Sequence, residues 1–165
     1  MKWYLLLFPL LIVACQNQTS VPERKPRNFD RDGLEKGVKA GKYLYDAVKY
    51  ENGKTQVEKY YLGDTARYEL YYTDKGTLYS VYKSDEHGQR IWQENYYDDG
   101  TCKARLSMKT LENGAPQSVY HGPYEEYYEN GKLKESGEYA KGNKIWTVPV
   151  SMNGKAGDTT RYEYK

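Results

Sequence analysis

From residue 41 to residue 165, apolar and aromatic side chains alternate with polar ones over short runs, and turn dipeptides separate the runs. Tyr68, Leu70 and Tyr72 share one side of a segment, while Tyr162 and Tyr164 alternate with Arg161, Glu163 and Lys165 in the last one. A period of two predicts strands buried on one face. One set of turns is Asn52-Gly53, Asp74-Lys75-Gly76, Asp99-Gly100, Asn130-Gly131 and Asn153-Gly154; a second, interleaved set is Gly63-Asp64, His87-Gly88, Asn113-Gly114 and Gly142-Asn143. Most of these supply the positive φ that tight hairpins require. Glycines of the first set are 23, 24, 31 and 23 residues apart, with a second-set turn inside each interval, which is an internal repeat of one hairpin per unit. Nine turns delimit about ten strands, so the expected fold is all-β: a largely single-layer antiparallel meander with no need for a helix. Pro116 and Gly122-Pro123 fall in the long interval and predict a bulge or a break between two halves of the sheet.

The pattern ahead of this region is different. Lys2 precedes an apolar run, Leu5 to Val13, that is too short to span a bilayer and has the length of a secretory signal core. It ends in Ile12-Val13-Ala14-Cys15, which resembles the lipobox at which bacteria lipidate a cysteine and cleave before it. Residues 1–14 are therefore expected to be removed, and Cys15 to carry acyl chains. Two or three chains hold a protein to a bilayer where one does not. Gln16 follows the cysteine where an Asp would favour inner-membrane retention in enteric-type sorting, so the outer membrane is the expected location. Residues 15–40 read as a lipidated N-terminus and a flexible tether, reaching about 25–30 Å from the bilayer, and 41–165 as the folded domain.

Without Lys2 the chain carries 24 basic and 23 acidic side chains, a balance that excludes the concentrated basic surface nucleic acid requires. From residue 16 onward there are only 19 Leu, Ile, Val and Phe, against 19 tyrosines after the signal. Tyrosine forms strands and contributes ring area while its hydroxyl seeks water or a partner. Such a chain orders a thin sheet and not a deep core. With Cys15 lipidated, Cys102 has no intramolecular partner and is expected to be a free, half-buried thiol.

The stretch Gly122 to Trp146, with its Gly-x-Tyr-x-x-Tyr, its Asn130-Gly131-Lys132 and its Tyr139, Gly142 and Trp146, is similar to the bacterial variant of the MORN repeat. Weaker copies end at Gly53, Gly76, Gly100 and Gly154. The resemblance implies a meander of hairpin repeats. Because the family includes antitoxin-like proteins of the YwqK type, it also implies binding of a protein partner.

Catalytic groups are sparse. His87 and His121 are the only imidazoles, both beside turn glycines and without a Ser or Cys motif. Asp98-Asp99 and Glu125-Glu126 are adjacent in sequence, so each pair points to opposite faces or sits in a turn. Asn28-x-Asp30-x-Asp32-Gly33 copies the first half of a calcium loop, but Lys39 stands where the bidentate Glu belongs. No enzyme activity, cofactor or metal is expected. The tyrosines remain: Tyr71, Tyr96 and Tyr127 form one expected column, Tyr72, Tyr97 and Tyr128 another, one packing and the other open to a partner. The expected function is that of a lipid-anchored envelope protein with a non-catalytic protein-binding domain, immunity- or antitoxin-like; the alternatives are a structural or cell-wall-binding outer-membrane lipoprotein and a small hydrolase.

Overall fold

A computed structural model describes residues 29–111 and 117–164. The signal region, Cys15, the tether up to residue 28, Asn113-Gly114 and Pro116 lie outside the described residues. The elements are α1 (Arg31–Lys39), β1 (Leu44–Lys49), β2 (Thr55–Leu62), β3 (Thr65–Tyr72), β4 (Leu78–Ser84), β5 (Arg90–Tyr96), β6 (Cys102–Leu111), β7 (Gln117–Tyr127), β8 (Leu133–Ala140), β9 (Asn143–Pro149) and β10 (Thr160–Arg161). All ten strands form one antiparallel sheet in sequence order. Every substantial strand contact joins chain neighbours. The expected all-β single-layer meander is what the chain forms, with one short helix added.

The repeated glycines do the turning. In the first-set turns the glycine N–H returns to the carbonyl three residues back, as Gly131 does to Tyr128, and Tyr128 N–H meets the Lys132 carbonyl. This is a type I turn closed by a residue in the left-handed region. Gly131 has φ +77°, a value that costs an L side chain about 1–2 kcal/mol. Each first-set hairpin within residues 44–140 also shifts register just beyond the turn, between Val48 and Lys49, Tyr71 and Tyr72, Asn95 and Tyr96, and Glu126 and Tyr127. The long interval holds a bulge where Leu106 pairs with Tyr124 and Met108 with Tyr120; Gly122 there has φ +92°. Pro123 stays paired with Glu138, so the sheet continues across it.

One expectation is corrected. Residues 31–39, assigned to the tether, form α1, and the packed unit begins at Phe29, ahead of the expected boundary at Gly41. Asp30 caps the helix by accepting from Gly33 N–H at 2.8 Å, so the half calcium loop is an N-cap. At the other end Lys42 N–H bonds Gly37 O and Gly41 N–H bonds Val38 O, with Gly41 at φ +72°: a Schellman stop. Gly37 has no side chain because the Tyr43 ring occupies that space; a Cβ there would lie 2.5 Å from it. Leu34 and Val38, one turn apart, face the sheet with Phe29, and Leu34 is 5% exposed.

Alternation along the strands then defines two faces. The helix face carries Leu70, Val81, Tyr60, Tyr72, Tyr96 and Tyr127, packed beneath α1. The opposite face carries a smaller cluster of Ala104, Leu106 and Tyr124 with Tyr120 and Tyr139 against it, and no element covers it among the described residues. Tyr124 lies over Gly137 across the strand pair, where a Cβ would come 2.6 Å from the ring.

Candidate functional site

On the helix face, polar groups are buried and spent on each other. Glu58, 6% exposed, accepts from both Arg31 Nη2 contacts at 3.2 Å and from Tyr72 Oη at 2.8 Å, with Tyr60 and Tyr45 hydroxyls at 3.3 and 3.4 Å. Burial, then Glu58, pushes the Tyr72 hydroxyl well above its ordinary value. Glu94, fully buried, accepts from Tyr96 Oη at 2.9 Å and Arg105 Nε at 3.0 Å. Burial and the neighbouring Glu94 push the Cys102 thiol up, away from the thiolate a nucleophile needs. Cys102 is the free, buried thiol of the described chain. These clusters bind the helix to the sheet and the strands to each other.

The tyrosine columns are re-sorted. Counted back from the turn glycine, the equivalent positions are Tyr72, Tyr96 and Tyr127, four residues before Gly76, Gly100 and Gly131; Tyr71 stands one residue earlier. Tyr72, Tyr96 and Tyr127 are the buried set. Tyr97 and Tyr128 are spent at the turns: Tyr97 Oη donates to Tyr127 O at 2.8 Å and Tyr128 Oη to Val150 O at 3.1 Å, as Tyr50 Oη does to Tyr72 O at 2.7 Å. Of the six, Tyr71 has its ring on the open face, against Tyr82 at 5.5 Å and Tyr79 at 6.4 Å between centroids.

Two features occupy that open face. The first is a set of exposed apolar side chains: on β1 Leu44 and Val48, with Asp46 between them, are 69% and 47% exposed, and on β4 Tyr79, beside Tyr71, is 44% exposed. The second is a groove of about 660 Å³ farther along the sheet, lined by Tyr82, Arg90, Gln93, Met108, Gln117 and Tyr120 among others. Arg90 donates to Glu69 Oε2 at 2.7 and 3.1 Å and to Tyr71 Oη at 3.0 Å, and its guanidinium sits 3.9 Å from the Tyr82 centroid. Gln93 Nε2 donates to Asn95 at 2.8 Å and Ser80 at 3.3 Å, and its carbonyl accepts from Tyr120 Oη at 3.1 Å. Burial, then the nearby Tyr82, raises the Tyr120 hydroxyl above its ordinary value, and both side chains line the groove. Sequence reading missed Tyr79, Tyr82, Arg90 and Tyr120. The alternation that puts Val81 in the core already placed Tyr82 on the other side.

The remaining candidates do not converge. His87 sits in the exposed turn after β4, 3.6 Å from Glu86, and His121 Nδ1 accepts from Lys141 N–H at 3.4 Å. Glu125 bonds Tyr127 on the helix face while Glu126 approaches Lys144 on the open face, and Asp98-Asp99 lie in a turn. No group of three or more metal-ligating side chains occurs among the described residues. No helix among them is long and apolar enough to cross a membrane.

No protein-family model matches the chain. No curated protein matches it either. Among solved structures, it is similar to a chain of the GtfA/B complex bound to UDP and GlcNAc, at 13% identity and TM-score 0.46, covering 72% of this chain and 24% of that one. TarM is similar at 14% identity and TM-score 0.37, covering 81% of this chain and 22% of that one. A Bacteroides fragilis protein of unknown function is similar at 11% identity and TM-score 0.17, covering 76% of this chain and 96% of that one. The chain thus spans about a quarter of the first two.

Proposed function

We propose that this chain is a non-catalytic binding protein, exported and held in the bacterial envelope through lipid on Cys15, whose open sheet face seats a protein partner in an immunity- or antitoxin-like role. One observation carries the reading: α1 covers one face of the sheet over β2, β3 and β5, while on the other face Val48 and Tyr79 are exposed in the cross-strand row of Tyr71, with Leu44 exposed farther along β1. An exposed apolar patch on an uncovered face marks a contact surface, and tyrosine is enriched among binding hot spots. The Cys15 part of the proposal stands on the signal pattern alone, and the loss of lipid-precursor labelling in Cys15→Ala tests it.

The partner seat is tested by affinity capture with the wild-type chain and with Val48→Asp/Tyr79→Ala, two exposed changes expected to leave the melt unchanged. The partner retained by wild type should be lost by the variant. Equal capture by both would place the seat elsewhere. A second reading, attachment to the cell wall, is favoured by the groove at Tyr82 and Tyr120.

A further inference from the structure

We propose that the groove between Tyr82 and Tyr120 is a subsite for an uncharged oligosaccharide chain. This rests on the reading of the open face as a binding face, but it uses none of the partner patch at Leu44, Val48 and Tyr79.

The dimensions come first. Tyr82 on β4 and Tyr120 on β7 are three strand spacings apart, about 14 Å at the root, and the strands between them present Gln93 and Met108 as a floor. The resulting volume of about 660 Å³ lies within the range of small-molecule sites. Because the groove lies across an uncovered sheet face, it suits a chain and not one enclosed group.

The lining chemistry then selects the ligand. Among the described residues that line the groove, Arg90 carries the only formal charge, and Glu69 answers it at 2.7 Å. Burial would lower the guanidinium, but the Glu69 bonds more than offset it, so Arg90 stays charged and is held as a fixed fork against Glu69, which also faces Lys59 at 3.7 Å. Its Nη1 makes no bond among the described residues and is left to donate to a neutral oxygen. Within the lining a phosphate or carboxylate would meet one cation, already bonded to Glu69, and an amine would meet no carboxylate. The other groups are amides, hydroxyls, a thioether and two aromatic rings. This set offers hydrogen bonds to hydroxyl groups and flat apolar surface to the C–H faces of sugar rings. The floor amide is also immobilised before any ligand arrives, since Gln93 is bonded at both ends, so little ordering is lost on binding.

The test is calorimetric titration of the full chain in a detergent without a sugar headgroup, with chitopentaose and cellopentaose as neutral probes and pentalysine and pentaglutamate as charged ones. At least one neutral pentaose should bind and neither charged peptide should. Tyr82→Leu and Gln117→Ala should each weaken that binding, the former about tenfold, whereas Val48→Asp/Tyr79→Ala should leave it unchanged. Gln117→Ala touches an exposed side chain and guards against a folding defect in Tyr82→Leu, as does a thermal melt of both. No binding of either pentaose, binding that both groove variants retain, or tighter binding of a charged peptide would each overturn the proposal. Loss of pentaose binding in the patch variant would overturn the separation of the two sites and leave the partner reading to its own capture experiment.

Discussion

Leu34→Ala is the sharpest perturbation of the contact between helix and sheet. Leu34 is 5% exposed and lies in one cluster with Tyr72, Tyr96 and Leu70, so truncation removes buried methyl groups that the flat surface of a sheet cannot close over. Buried Leu→Ala changes cost about 2–5 kcal/mol, and a contact at the margin of a thin core belongs at the lower end, about 2–3 kcal/mol. The structure also sets a ceiling. A nine-residue helix with two internal glycines is not stable in isolation, so α1 is helical only while docked, and the loss cannot exceed the docking free energy. Trp92 packs against the same cluster, so in a Trp3→Phe/Trp146→Phe background its emission follows the packing of that cluster. Urea titration followed by Trp92 emission and by far-UV circular dichroism should show the midpoint falling, or an early Trp92 transition if α1 releases before the sheet. A free-energy change below about 0.5 kcal/mol, as for an ordinary surface site, with coincident unshifted transitions, would refute docking through Leu34.

Tyr72→Phe should cost about 1.5–2 kcal/mol in urea melts, because its hydroxyl donates to buried Glu58 and accepts from Arg31; Tyr164→Phe, on an exposed side chain, is the comparison, and equal effects contradict the assignment. Tyr97→Phe should cost about 0.5–1.5 kcal/mol in urea melts, since Tyr50, Tyr97 and Tyr128 each cap a carbonyl of the next turn; an unchanged midpoint would show that rung to add nothing. Burial pushes the Glu135 carboxyl up, but bonds from Lys144, Tyr124 and Thr147 hold it below its ordinary 4.5. Its folded value therefore lies under the unfolded one, and its contribution is complete above about pH 4.5 and lost as the pH falls through the folded value. Glu135→Gln should flatten the acid limb of stability against pH, and parallel curves for the two proteins would refute this.

The meander was legible because its instructions are local. A left-handed glycine every 23 to 31 residues and alternation between turns leave few other arrangements open. The helix escaped notice because its signals were read for something else. Asp30 resembles a calcium ligand in sequence and is a cap in the fold, and Gly37, a poor helix former, admits the Tyr43 ring. Asp32 in the first turn, Lys36 and Lys39 in the last, Gly41 after it, and Leu34 with Val38 on one side would have located it. Tyr71 departs from its expected column because the equivalent position lies four residues before the turn glycine, at Tyr72, and in an alternating strand an offset of one residue exchanges the faces. The groove was beyond sequence reading for a different reason. It joins β4 to β7 across two intervening strands, a distance that pairwise patterns do not encode.

The strict neighbour-to-neighbour pairing has an evolutionary corollary. Glu94 is satisfied by Tyr96 and by Arg105 of its own hairpin, and each turn tyrosine reaches only to the following turn. A duplicated or deleted stretch of one hairpin therefore carries most of its own polar partners with it and leaves distant strands undisturbed, as in other one-dimensional arrays. The number of hairpins is free to drift by unequal recombination, and the long Gly100–Gly131 interval shows a unit tolerating extra residues without loss of the sheet. The helix is different: Arg31 and Phe29 reach β2, β3 and β5 together, so the first units are locked to their present spacing while the later ones remain editable.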